Sequence, residues 1–261
     1  MSDFALVTLY STVALFLVQA IAYVIGRRIG RYNVVDVAWG VGLVAVAIVA
    51  LIVGDGDLTR RIALAAIVTV WGVRLSWHMW RKSAGAGEDP RYVALLERHG
   101  GARTITVITR IFVTQALAQW VISLPVQVAA VSGPVNDGWW LLAVAGIALS
   151  VAGIGFEATG DWQLRRFKSD PRNRGVVMDR GLWAWTRHPN YFGDACVWWG
   201  IFGISAAAWP GVLTIVSPVL MTYFLVFATG ARLLEQHMAN RPGFAEYQRR
   251  TSFFIPRPPK V

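Results

Sequence analysis

The stretch Arg187-His188-Pro189-Asn190-Tyr191-Phe192-Gly193-Asp194 sets a cation, an imidazole, an amide and a carboxylate against the apolar run that opens Ala195-Cys196-Val197-Trp198-Trp199-Gly200. Ionisable side chains beside lipid are costly, and they are rare there unless they bind or react with something. Pro189 suits the first position of a helix. Asn190 and Asp194 then fall one turn apart on one face. A helix N-terminus offers free N–H groups to an anion, and Asn and Asp can hydrogen-bond a carboxamide or a ribose hydroxyl. The bland alternative is a polar contact between neighbouring helices.

A second set lies upstream. Glu157, Asp161, Arg165 and Lys168 recur at spacings of four, four and three. On a helix that is one stripe, with Asp161 one turn from Arg165. The two carboxylates repel one another unless something sits between them, and the cationic lower half suits a phosphate-bearing ligand. A solvated, internally paired helix end is the competing reading. A third set is Asp36 with His78, the latter one turn after Arg74. An acid and a histidine inside a helical bundle can form a proton-donating pair, because His is readily tuned across neutral pH. A structural histidine and an arginine reaching for the interface are the plain alternatives. The tail from Arg232 to Thr251 is basic and amphipathic, as a helix lying on anionic lipid would be. The chain carries no G-x-G-x-x-G opening a βαβ unit, no Walker A and no H-E-x-x-H. A nicotinamide cofactor would not be held by a Rossmann fold, and no metal site is expected.

These groups need helices to position them. Of the 261 residues 55% are hydrophobic and 15% charged, against about 25% charged in a soluble domain. Apolar runs of about 20 residues recur. The expectation is an all-α, polytopic membrane protein of seven spans, at roughly 4–26, 36–54, 62–80, 104–131, 138–160, 190–208 and 210–236. The N-terminal run lacks a basic n-region and reads as a retained helix. Lys and Arg gather after the first span, after the third, between the fifth and sixth, and in the tail. By the positive-inside rule the N-terminus lies outside and the C-terminus in the cytoplasm. Arg60 and Arg61 fall on the wrong side of that pattern. Trp39, Trp80, Trp139, Trp140 and Trp209 stand near span ends, where interfacial anchors belong. The net charge of +10 fits lipid headgroups better than nucleic acid. Cys196 is the single cysteine, which excludes an intramolecular disulfide and a multi-cysteine metal site.

The run Gly181-Leu182-Trp183-Ala184-Trp185-Thr186-Arg187-His188-Pro189-Asn190-Tyr191-Phe192-Gly193-Asp194, with Glu235…Arg241-Pro242-Gly243-Phe244-Ala245-Glu246-Tyr247…Thr251-Ser252-Phe253-Phe254-Ile255-Pro256, resembles the steroid 5-alpha-reductase family. It is most similar to the bacterial branch long labelled DUF1295. Asp36-Val37-Ala38-Trp39-Gly40 and Arg74-Leu75-Ser76-Trp77-His78…Gly87-Glu88-Asp89-Pro90-Arg91-Tyr92 extend the resemblance over nearly the whole chain. It implies one integral domain over 1–261 in the inner membrane, with the active site facing the cytoplasm. Helices one to four (1–131) would take a lipid substrate from the bilayer, and 138–261 would hold NADPH. No obligate protein partner is inferred. The implied reaction is reduction of a carbon–carbon double bond in an enone lipid. Cofactor positions fall at Glu157, Asp161, Arg165, Lys168, Asn190 and Asp194, with Arg180, Arg187 and His188 nearby and Arg232, Glu235, Gln236 and Asn240 from the tail. In steroid-reducing members an acid and a tyrosine polarise the enone carbonyl. Here Asp36 falls near the acid, and His78 stands where the tyrosine would be. Lipid methyltransferases using S-adenosylmethionine share the RHPxY-type motif and the tail glutamates, and supply the alternative. A transporter or structural membrane protein is the third.

Overall fold

A computed structural model describes residues 3–228 and 230–260, and these are helical with no β-strand among them. Among the described residues six helices are long and apolar enough to cross a membrane. They are α1 (Asp3–Ile29), α2 (Val34–Val53), α3 (Leu58–Ser83), the run Thr104–Ile122, α8 (Trp140–Ser169) and the run Gly211–Met238. The remaining expected span is α10, Pro189–Ala206. It is helical, but Pro189, Asn190 and Asp194 in its first turns dilute its apolarity, and it is not among the six.

The other elements explain where the expected spans break. Thr104–Ile122 joins α5 (Thr104–Val107) to α6 (Thr114–Ile122) through a π-helical turn, Ile108–Val113. Pro125 then opens a separate short helix, α7 (Leu124–Ala129), so the expected run to 131 ends early. Between α3 and α5 lies α4 (Pro90–Arg98). After α8 come α9 (Leu182–Trp185) and α10. The last span comprises a 3-10 turn, α11 (Val216–Tyr223), a π turn at Phe224–Ala228 and α12 (Ala231–Met238). Gly243, at φ 79°, turns the chain into α13 (Phe244–Arg250).

The chain divides into two compact units. One takes the chain up to Ala143 with Ile201–Ser217; the other takes Val144–Gly200 and the chain from Pro218.

In the first unit α2 and α3 meet at Gly40 and Gly72. A Cβ on Gly40 would lie 2.1 Å from the Gly72 carbonyl oxygen, so only glycine permits this approach. Two arginines close helix ends here. Buried Arg60 donates to the carbonyls of Ser132 (2.5 Å) and Gly133 (2.6 Å) beyond α7. Arg61 donates to Leu51 (2.9 Å), Gly56 (3.0 Å) and Gly54 at the end of α2. Helix C-termini leave carbonyls unsatisfied and favour cations. The two arginines that break the charge alternation are therefore caps. Trp39 also departs from expectation: its indole donates inward to Gln115 Oε1 at 2.6 Å. Trp80, Trp139, Trp140 and Trp209 are exposed, as anchors should be. Large apolar side chains such as Leu17 and Ile21 point outward along α1, which suits lipid as the solvent.

In the second unit α8 and α10 cross on glycines. A Cβ on Gly193 would lie 2.6 Å from the Glu157 backbone nitrogen and from the Gly153 oxygen. One on Gly200 would lie 2.4 Å from the Gly146 oxygen. Gly146, Gly153 and Gly160 recur every seven residues on α8, which keeps them on one face. That stripe is why these two backbones can touch.

Candidate functional site

The glycine crossing places the first expected cluster. Gly193 packs on Glu157, and Gly160 on Pro189 and the Asn190 backbone. Glu157, Asp161 and Asp194 are buried and Asn190 is partly buried. The structure therefore brings Glu157, Asp161, Asn190 and Asp194 to one helix crossing. Arg165 and Lys168, further along the stripe, are exposed.

Below the crossing lies a cavity of about 490 Å³. The end of α8, the loop Pro171–Met178, α9, the start of the Arg187-His188 segment, α12 and α13 enclose it. Four expected residues line it: Lys168, Arg187, His188 and Glu235. Arg180, Arg232, Gln236 and Asn240 are exposed and are not among its lining residues. Arg180 lies over the Phe167 ring, and Arg232 over Phe227 at 4.4 Å.

Arg187 is occupied by the protein itself. Its Nε donates to Glu235 Oε1 at 2.6 Å and its Nη2 to Oε2 at 3.3 Å. Its Nη1 donates to the carbonyls of Gln248 (3.1 Å) and Thr251 (2.7 Å), which end α13. The guanidinium also lies over the Phe253 ring at 5.3 Å. Glu235 meanwhile holds His188 Nε2 at 3.0 Å and accepts from Gln248 Nε2 at 2.8 Å. Tail residues thus clamp the polar segment that the sequence singles out. The clamp continues outward. Thr186 bridges to Ser252 and donates to the Phe254 carbonyl at 2.8 Å, and Arg257 donates its N–H to the Trp185 carbonyl at 3.0 Å.

Aromatic walls complete the cavity, and sequence reasoning missed them. Phe167, Trp183, Phe244 and Tyr247 are all buried there. Their polar ends are satisfied by the backbone: Trp183 donates to the Gly160 carbonyl at 3.0 Å, and Tyr247 to the Trp183 carbonyl at 2.6 Å. Burial pushes the Tyr247 phenol well above its ordinary range, so it stays a donor. For Phe244 and Tyr247 the signal in the sequence was aromatic spacing in an amphipathic tail, which looks the same for a surface helix.

The first unit holds the other expected group. Asp36, in the first turn of α2, accepts Tyr92 Oη–H on Oδ1 at 2.5 Å and Arg91 Nη2–H on Oδ2 at 3.1 Å. Its neighbours on α4 are thus a tyrosine and an arginine. His78 is partly buried on α3. Tyr92 is buried, and burial first, then the Asp36 charge, pushes its phenol well above the usual range. Arg91 stays charged: burial alone would lower it, but Asp89 and Asp36 outweigh this. Glu88 latches the loop before α4, accepting the backbone N–H of Tyr32 and, at 2.9 Å, that of Asn33. A polar pocket of about 190 Å³, lined in part by Asp36, Lys82 and Asp89, lies beside it. In the sequence Tyr92 stands only as the last residue of a motif, with no role attached. Its role depends on α4 folding back onto α2. Among the described residues no group of three His, Cys, Asp or Glu side chains could hold a metal ion.

A family model described as a protein of unknown function, DUF1295, matches residues 22–251. The chain belongs to the DUF1295 family. No curated protein and no solved structure matches it. The matched region of this DUF1295 protein takes in Asp36 and Tyr92, the glycine crossing and every residue that lines the large cavity.

Proposed function

We propose that this DUF1295 protein is a membrane-embedded, NADPH-dependent reductase of an activated carbon–carbon double bond in a lipid such as a steroid, an isoprenoid or another enone. The observation that carries the reading is the 490 Å³ cavity of the second unit. Its volume falls in the range of cofactor sites, roughly 300–1,000 Å³. Buried aromatic rings suit flat heterocycles, and cations at its edge suit phosphates. The residues present therefore fit a nucleotide cofactor. Lys168 would face its charged part, and Trp183, Phe244 and Tyr247 its rings. Bound there, NADPH would supply a hydride.

The chain's own contribution to the chemistry falls to Asp36 and Tyr92. Reduction of an enone builds negative charge on the conjugated oxygen. The Tyr92 hydroxyl donates to Asp36 in this structure, and would serve that oxygen by turning its proton from the carboxylate to it. Arg91 donates to the other carboxylate oxygen and fixes the orientation of the group. His78 remains the expected donor from the resemblance, so the two are separable by mutation. We further propose seven spans with α10 as the sixth, an outside N-terminus, a cytoplasmic C-terminus, and a cavity open to the cytoplasm of an inner-membrane protein. The clustering of Arg187, His188 and Glu235 at the cavity wall also suits an S-adenosylmethionine-dependent lipid methyltransferase, the second reading.

Purified protein in nanodiscs is expected to consume NADPH with enone lipids. Tyr92→Phe should lower kcat/KM by about two orders of magnitude with NADPH affinity unchanged, and His78→Asn by much less. The reverse ranking would return the donor role to His78. Folded protein that ignores NADPH and is stabilised by S-adenosylmethionine would sink the reductase reading.

A further inference from the structure

We infer that Arg174 and Arg241, facing the large cavity from its loop and from the α12–α13 turn, form a dianion clamp that selects a phosphorylated nucleotide. The inference rests on the cavity being the cofactor site proposed above.

It follows from the charges that line the cavity. The lining cations are Lys168, Arg174, Arg187 and Arg241, and the lining carboxylates are Asp170 and Glu235. Both carboxylates are already neutralised. Asp170 is held by Arg172 at 2.7 Å, and Glu235 by Arg187 at 2.6 Å. Arg187 in turn directs its guanidinium to Glu235 and to two backbone carbonyls, so it has little left for a ligand. Lys168 has a partner of its own. Arg174 and Arg241 remain. Both are exposed, and among the described residues neither makes an ion pair.

Two unpaired guanidiniums on one cavity complement a double negative charge. Guanidinium binds phosphate oxygens through paired, charge-assisted hydrogen bonds. A carboxylate or a sulfonium ligand would leave that charge uncompensated. The two arginines come from segments far apart in the chain, Pro171–Met178 and the turn after α12, so the pairing exists only in the folded chain. The buried aromatic side chains Phe167, Trp183, Phe244 and Tyr247 line the same cavity, which suits a base. Dianion and flat ring together describe a nucleotide phosphate. This assignment displaces Arg187, which becomes a positioning residue for the cavity wall.

The test is calorimetric titration of the full-length protein in nanodiscs with adenosine 2′,5′-bisphosphate, NADPH and S-adenosylhomocysteine. Arg174→Met and Arg241→Met are compared with the wild type. Arg166→Met, an exposed arginine over Trp162 and outside the cavity, controls for general loss of charge. Thermal melts confirm that each variant is folded. The wild type is expected to bind the bisphosphate and NADPH. Each cavity variant should weaken both about tenfold or more, flatten the salt dependence and leave the melt unchanged, while the control binds as wild type. NADPH binding that neither variant weakens overturns the clamp and leaves the reductase reading standing. Binding of S-adenosylhomocysteine alone, or of no probe, overturns both.

Discussion

Glu235 is the side chain on which the second unit's polar wall depends. It holds Arg187, His188 and Gln248 at once, and the side chains of Glu235 and Arg187 are only 13% and 11% exposed. Removing one partner of such a pair leaves the other charge without compensation. Glu235→Ala is therefore expected to destabilise the protein by about 3 kcal/mol or more, read as a lower melting temperature in detergent. Glu235→Gln keeps a carbonyl acceptor for Arg187 and should cost less. Equal melts for all three proteins would show that the wall stands without this carboxylate. At this scale the sequence was informative about chemistry and silent about partners. Arg187, His188 and Glu235 stand out by type and by motif. That Arg187 caps α13 depends on where Gln248 and Thr251 come to rest.

Among the elements, α4 shows how a short helix can carry a site. It is nine residues long, too short to be stable alone, and it is held at its N-terminal end. Asp89 caps it through the Arg91 N–H at 2.9 Å, and Tyr92 and Arg91 bind Asp36. Burial would raise the Asp89 carboxyl, but hydrogen bonds and charge from Arg91 hold it below the usual carboxylate range. A depressed folded-state pKa adds stability that is complete above the unfolded value and is lost as pH falls through the folded one. Protection of the α4 amides, taken relative to their intrinsic exchange rate, should therefore be steady from neutral pH down to about pH 4 and fall below it. Asp89→Asn should flatten that dependence and, because Asn is also a good cap, cost well under 1 kcal/mol. An α4 that opens equally in both proteins on acidification would remove Asp89 as the cause. The helices themselves were legible from apolar runs and from Pro189. The π turns and the break before Pro125 were not, because periodicity reads through a single displaced residue.

For the whole molecule, membrane character follows from composition, and orientation turns on which charges count. Arg60 and Arg61 disturb the alternation of basic loops, yet both are bonded to carbonyls at helix ends. Removing them should lower stability without turning the protein over in the membrane. The double substitution Arg60→Gln, Arg61→Gln is expected to leave the accessibility of cysteines placed between α8 and α9 (residues 170–181) and in the tail unchanged, while melting several degrees lower. A reversed labelling pattern would make the two arginines topological determinants after all.

The sequence by itself determined the helical membrane class, most span positions, the family and the residues with chemical potential, because hydropathy, helix signals and motif spacing are local properties. The tertiary structure decided which of those residues face a cavity, which close a helix end and which bind one another. Tyr92 reached Asp36 only because α4 folds back onto α2. Arg174 and Arg241 came to line one cavity only because the loop after α8 and the turn after α12 meet across it. Charge pairing is a through-space property, and no spacing along the chain encodes it.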